Sequence, residues 1–305
     1  MLVGFVILSH SDPSQLRRLV TTLNREYDYP PIACHHDTSK SALDAAQFPP
    51  NVQFVAKPRR TGWGIWPVVQ GALDALSLLY QNQGPVWFFL LSAADYPIKA
   101  GSEVRRELSS TKVDAFLDFR PVLPKWSPKA TILGAPNPCT VQFDSKSNTL
   151  IKRRFYLSPQ IFIPLIRLKP FLRLGRFTWR PLTESPLSPF DGTTGCYCGD
   201  HWFCANRRAA QKLIEPSDLK TKLARHYRRR VMPDESFYQT MLLNQPDLTI
   251  DRNNRRFADW NGGGAHPMLL EEDKLDEMMS SGAFFARKFG TGSNVLDKID
   301  RMMKR

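Results

Sequence analysis

The sequence predicts an α/β fold: a mixed, mostly parallel sheet flanked by helices, in a single Rossmann-like domain with a basic, loop-rich insertion. Three observations predict it. Short apolar runs alternate with helical periodicity from Leu2 to Phe119. The runs are apolar at consecutive positions, as in strands covered on both faces. Polar residues stand directly after them, where open α/β sheets bind their ligands.

Leu2–Leu8 (LVGFVIL) is the first strand. A helix follows over Pro13–Glu26, with Leu16, Leu19, Val20 and Leu23 at helical spacing and Pro13 well placed for a helix start. Pro31–Cys34 reads as a second strand, ending at His35-His36-Asp37, and Val52–Val55 as a third. Pro67–Gln81 is a helix with Val68, Leu73, Leu76 and Leu79 inward. Val86–Leu91 is a strongly apolar strand ending at Ser92-Ala93-Ala94-Asp95, and Lys112–Phe119 is a further one. Beyond Gly195, helices are expected over Asn206–Ile214, Asp234–Leu243, Glu271–Met279 and Asn294–Met303, with mixed strand and loop over Ile250–Trp260. Strands alternating with helices predict parallel pairing.

A chain of 305 residues, 42% of them apolar, can bury a full core. That excludes disorder, collagen and coiled coil as whole-chain readings. The five cysteines are odd in number and form no C-x-x-C pair, so a reducing compartment is the simpler reading. Cys196, Cys198, His201 and Cys204 suggest a zinc cluster, but C-x-C holds a tetrahedral ion less readily. Small residues of a buried strand are the preferred reading, and no metal ligands are assigned. No basic segment precedes Leu2–Leu8, and Val86–Leu91 is far shorter than the ~20 residues that span a bilayer. The expected location is cytoplasmic, with peripheral attachment at the inner face of the plasma membrane as an option.

The net charge of +13 is uneven. Residues 119–183 hold twelve basic side chains and one acidic, Asp144, which is +11 of the total. Aromatic residues such as Phe155, Tyr156, Phe171 and Trp179 interleave with them. Such a stretch suits an anionic membrane surface or an anionic glycan, or is simply a solvated rim. No nucleic-acid fold signature accompanies it, so a nucleic-acid partner is not expected.

Polar groups at three strand ends (Ser9 and His10, His36 and Asp37, Asp95) suggest a nucleotide pocket. Neither G-x-G-x-x-G nor a P-loop is present. Pro233-Asp234-Glu235 puts Glu235 in the first turn of the helix expected there, where the helix N-terminus favours a carboxylate in its ionised form. Such a group can take a proton from a hydroxyl. Ordinary capping produces the same pattern. Phe284-Phe285-Ala286-Arg287-Lys288-Phe289 sets two cations in an aromatic run, which is costly unless they face an anion such as a diphosphate. The other reading is a surface pair with snorkelling stems. Arg256 to Trp260 (RFADW) places an indole, which stacks on sugar rings or fills a core, beside a carboxylate. No D-x-D, which would hold a divalent ion on a nucleotide-sugar diphosphate, occurs in the chain.

Together these residues resemble the core-2/I-branching β-1,6-N-acetylglucosaminyltransferase and peptide O-xylosyltransferase family, an inverting, metal-independent group of GT-A-like fold. The resemblance rests on eight motifs in order. They are FVILSHSDPSQLRRL (Phe5 to Leu19), His35-His36-Asp37, Trp63-Gly64, LSAADYPIK (Leu91 to Lys99), Gly199-Asp200-His201-Trp202-Phe203, Pro233-Asp234-Glu235, RFADW and FARKF (Phe285 to Phe289). It implies that Glu235 is the catalytic base. His10, Asp37, Asp95, Arg256, Arg287 and Lys288 would bind the donor, and Trp202, Asp259 and Trp260 the acceptor. Asp200 stands where the family has Ser. Ala265-His266 stand in the register of a second diphosphate cation, leaving Arg256, Arg287 or His266 to substitute. Residues 1–118 would form the nucleotide-sugar half, 119–194 the basic insertion on the acceptor side, and 195–305 the catalytic and acceptor half. The implied activity is transfer of a sugar, by preference N-acetylglucosamine, from a UDP-sugar to a glycan or lipid-linked glycan acceptor in bacterial surface polysaccharide synthesis, with no cofactor. The alternative is a non-catalytic protein that binds an anionic glycan or membrane through the basic stretch.

Overall fold

The computed structural model describes residues 1–11, 13–123, 125–134, 162–163, 172–173, 188–190, 192–263 and 266–303. In chain order the elements are β1 (Val3–Ser9), α1 (Pro13–Tyr27), β2 (Ile32–His36), β3 (Val52–Phe54), α2 (Trp66–Leu79), β4 (Trp87–Ser92), β5 (Asp95–Pro97), α3 (Gly101–Ser110), β6 (Ala115–Phe116), β7 (Arg120–Pro121) and β8 (Thr131–Leu133). After them come the paired strands β9 (Phe162–Ile163) and β10 (Leu172–Arg173), then β11 (Tyr197–Cys198), β12 (Cys204–Asn206), α4 (Arg207–Ile214), α5 (Asp218–Tyr227), α6 (Phe237–Leu243), β13 (Thr249–Asp251), β14 (Arg256–Ala258), α7 (Leu275–Ser280), β15 (Phe285–Arg287) and α8 (Val295–Met303).

The main sheet has the order β3-β2-β1-β4-β12-β6-β13-β8. Every neighbouring pair is parallel except those of β12, which runs antiparallel to both β4 and β6. The fold is therefore the mixed, mostly parallel α/β sheet that the sequence predicts. One sheet takes strands from both the 1–118 and the 195–305 segments.

Both faces of the sheet are covered, which is why the strands read as unbroken apolar runs. Phe5, Ile7, Phe89 and Leu91 pack into one layer with Leu16, Leu19 and Leu23 of α1. Val6, Phe88 and Leu90 pack into the other with Val69, Leu73 and Leu76 of α2. The alternation follows the two-residue period of a strand.

A second sheet, β14-β15-β5, sits against the first layer. Phe285 of β15 touches Phe5 at 6.1 Å and Phe89 at 5.1 Å between ring centroids. Truncating a buried aromatic of this kind typically costs about 3–5 kcal/mol.

Several boundaries differ from the sequence reading. The strand expected over Lys112–Phe119 is only Ala115–Phe116. Its flanks serve side chains instead: Asp114 accepts from Asn206 Nδ2 at 2.8 Å, Arg208 Nη1 at 3.0 Å and Thr249 N at 2.8 Å. The helix expected from Asp234 begins only at Phe237, because Ser236 (φ −148°) breaks the path after a 3-10 turn, Pro233–Glu235. β5, β7 to β12, β15, α3 and α5 are additional elements. Among the described residues no helix is long and apolar enough to cross a membrane. Most of the basic 119–183 stretch lies outside the described residues, so its expected contact with a membrane or glycan has no structural account.

Candidate active site

A cavity of about 570 Å³ opens at the carboxyl ends of β1 and β4, lined there by Ser9, His10 and Ser92. This is where a parallel α/β sheet places its ligands. One wall is cationic. β15 pairs with β5 so that Arg287 faces Asp95, and with β14 so that Arg256 lies opposite Phe285. Arg256 and Arg287 line the cavity from this sheet and Lys288 from the residue after it, and Lys40 and His266 line it too. Three sequence motifs, LSAADYPIK, RFADW and FARKF, are thus one structural unit.

Asp95 is the centre of that unit and does not line the cavity. Fully buried, it accepts from Ser92 N at 3.1 Å and Ser92 Oγ at 2.8 Å. Arg256 Nη1 lies 3.2 Å from one oxygen and Arg287 Nε 3.6 Å from the other. Arg256 also donates to Leu90 O at 3.2 Å. Burial pulls the Arg256 guanidinium below its ordinary value, while Asp95 and Asp200 work to keep it charged. A paired carboxylate is what makes a buried cation tolerable here.

Asp37 is also buried and outside the lining. It accepts from Ser39 N and Oγ and from Thr61 N and Oγ1, at 2.6–3.1 Å. Burial opposes its charge, but these bonds outweigh it and hold the carboxyl at about 2. Asp37 thereby ties the loop after β2 to Thr61, which does line the cavity. His10 lines it directly, and burial followed by the charge of Lys40 lowers its pKa.

The same cavity is also lined by carboxylates: Asp118, Asp200, Asp234 and Glu235. Glu235 ends the 3-10 turn, with its N–H donating to Met232 O at 3.1 Å and its carbonyl accepting from Gly199 N at 2.9 Å. Met232 is left-handed (φ 56°) and donates to Gly64 O at 3.0 Å. Gly64 itself has φ +69°, and a Cβ there would sit 2.6 Å from Met232 Sδ. The Trp63-Gly64 motif is therefore a seat for the turn that carries Glu235. Behind the turn, Ser236 donates to Tyr197 O at 2.5 Å and lies 2.6 Å from Tyr227 OH.

Asp200 is tied to both carboxylate and cationic neighbours. It accepts from Asn254 Nδ2 at 2.9 Å, and its own N–H donates to Asp118 at 3.1 Å. Burial raises its pKa against the nearby charges of Arg287 and Arg256. Trp202 lines the cavity but is only 9% exposed. The His201 ring stacks on it at 4.4 Å and 13°, and the Arg287 guanidinium lies 4.4 Å from its centroid. Trp260 lines the cavity and is half-buried, whereas Asp259 does not line it. Asp259 accepts from Asn261 N at 2.9 Å and lies 3.6 Å from Lys274.

The structure thus collects His10, Arg256, Arg287, Lys288, Glu235, Trp202 and Trp260 around one cavity and places Asp37, Asp95 and Asp259 behind it. Sequence reasoning passed over Asp118, Arg120 and His201 as lining residues. Asp118 carried the same strand-end signal as Asp95, hidden by the overlong strand expected over Lys112–Phe119. Cys196, Cys198 and Cys204 are buried thiols, and burial pushes Cys196 up to about 12 and Cys198 up to about 11.

The model of the core-2/I-branching enzyme family matches residues 3–136 and 168–279. The chain belongs to this family. It is 26% identical over 98% of its length to xylosyltransferase 1 of Homo sapiens, and 25% identical over 98% to xylosyltransferase 2 of Rattus norvegicus. It is 25% identical over 82% of its length to the beta-glucuronosyltransferase GlcAT14B of Arabidopsis thaliana. The matched region covers 30%, 33% and 51% of those proteins. The chain therefore spans about a third of the xylosyltransferases it matches. The family match contains the carboxylates of the cavity and Arg256, while Arg287 and Lys288 follow it.

Proposed function

We propose that this chain is an inverting glycosyltransferase that moves a sugar from a UDP-sugar to a hydroxyl of a glycan acceptor without a divalent metal. One observation carries the reading. A single cavity is lined both by the carboxylate Glu235 and by the cations Arg256, Arg287 and Lys288. Direct displacement needs a base on one side of the anomeric carbon and a stabiliser of the departing diphosphate on the other.

In this scheme the diphosphate lies along the cationic wall. Lys288 and Arg287 contact it, and Arg256 stands behind, its charge shared with Asp95. Glu235 accepts the proton of the acceptor hydroxyl. That oxygen forms its bond to the anomeric carbon as the bond to UDP breaks, and the carbon inverts. UDP leaves with its new charge met by cations that are already in place, so little reorganisation is needed at the moment of reaction. N-acetylglucosamine is the first donor to test. The names of the relatives add xylose and glucuronic acid.

The test is a thermal-shift series with UDP, UDP-N-acetylglucosamine, UDP-xylose, UDP-glucuronate and UDP-glucose, with EDTA present throughout. Ligand at a hundred times its Kd stabilises by about 2.7 kcal/mol. At least one uridine nucleotide should raise the midpoint in EDTA. No shift with any of them overturns the donor site. A shift seen only when manganese replaces EDTA overturns the metal independence.

A further inference from the structure

We propose that Trp202 is a positioning residue of the donor site, acting through Arg287 and not as a platform for a sugar. The inference deepens the glycosyltransferase reading and rests on it. An indole that stacks on a sugar needs an open face. The Trp202 ring has two stacking partners already and is 9% exposed.

Those partners belong to a column. Tyr238 of α6 stacks on His201 at 5.5 Å and 17°. His201 stacks on Trp202 at 4.4 Å, and Trp202 carries the Arg287 guanidinium at 4.4 Å. His201 Nδ1 also lies 3.3 Å from Asp234, the residue before Glu235. The column therefore begins in the element after the Glu235 turn and ends on Arg287, a cation that lines the same cavity. Arg287 is held from two directions, by the Trp202 ring and by Asp95 at 3.6 Å. A guanidinium over an indole face is among the stronger cation–π arrangements, and more so when desolvated. Such a clamp orients the guanidinium before the diphosphate arrives, so its ordering cost is met in advance.

The test is a double-mutant cycle on UDP affinity, measured by calorimetry. The variants are Trp202→Leu, which removes the aromatic face, Trp202→Phe, which keeps a smaller one, and each again in an Arg287→Gln background. UDP should bind Trp202→Leu about tenfold more weakly than the parent. Trp202→Phe should recover most of that loss. In the Arg287→Gln background both changes should shift affinity less than twofold. Equal losses with and without Arg287, or no loss in either background, overturn the proposal. If Trp202→Leu does not fold, Trp202→Met, which also lacks the aromatic face, takes its place in the cycle with the same expected and overturning results. Failure of UDP to bind the parent protein would overturn the glycosyltransferase reading itself, a different result from an additive cycle.

Discussion

Asp95 and Arg256, 161 residues apart in the chain, form a buried ion pair at 3.2 Å. The pair holds β5 to β14 and sets the cationic wall, and it accounts for the Asp of LSAADYPIK as a group that organises cations from behind. Replacing Asp95 with Asn should leave Arg256 and Arg287 without their shared counter-charge. Removing one partner of a buried pair costs about 3–5 kcal/mol. Urea denaturation of Asp95→Asn should show a loss of that size. A loss under about 1 kcal/mol would mean that the wall stands without it.

Gly64→Ala should disturb Glu235 from a distance. The substitution meets both a left-handed backbone and the Met232 side chain. An Ala forced to positive φ costs on the order of 1 kcal/mol or more, and Met232 is the residue on which the Pro233–Glu235 turn begins. Turnover should drop while UDP affinity stays near that of the parent. Unchanged turnover, measured alongside the melting temperature, would show that the turn does not depend on this seat.

Asp37 should mark stability at acid pH. Its folded pKa of about 2 lies below the ordinary 3.8. Its contribution is therefore fully present above the ordinary value and is lost as pH falls through about 2. Comparing unfolding free energies near neutrality and at about pH 2.5, the parent should lose more than Asp37→Asn. Equal losses would remove the loop-tying role assigned to its bonds with Ser39 and Thr61.

The parts of this fold that were legible in the sequence are those where one physical signal dominates. β1 and β4 are buried on both faces, so their apolar runs stood out. α1 and α2 carry full apolar stripes. α3 buries only Val104 and Leu108 along its side, too few for the period to show. β12 is three residues long, and its place at the centre of the sheet comes from its neighbours. At the site, motifs located the right segments but not the direction of each side chain. Asp37 and Asp95 stand at strand ends as expected, yet their oxygens are taken by backbone, hydroxyl and guanidinium donors. The direction of the Asp95 carboxylate is set by Arg256, 161 residues away, and that of Asp37 by Thr61, 24 residues away, and neither pairing shows in a local pattern.

The most direct test of the central claim compares Glu235→Gln with Lys288→Ala in parallel rate and binding assays. Gln keeps the shape of Glu235 but cannot take the acceptor's proton, and general-base catalysis is typically worth about 10²–10⁴-fold. The account predicts a loss of that size in kcat for Glu235→Gln, with UDP affinity unchanged. Lys288→Ala should weaken UDP binding as well as slow transfer, since it removes a charge-assisted contact to the diphosphate. A Glu235→Gln protein that binds UDP and turns over near the parent rate would contradict the account, and Glu235 would not be the base.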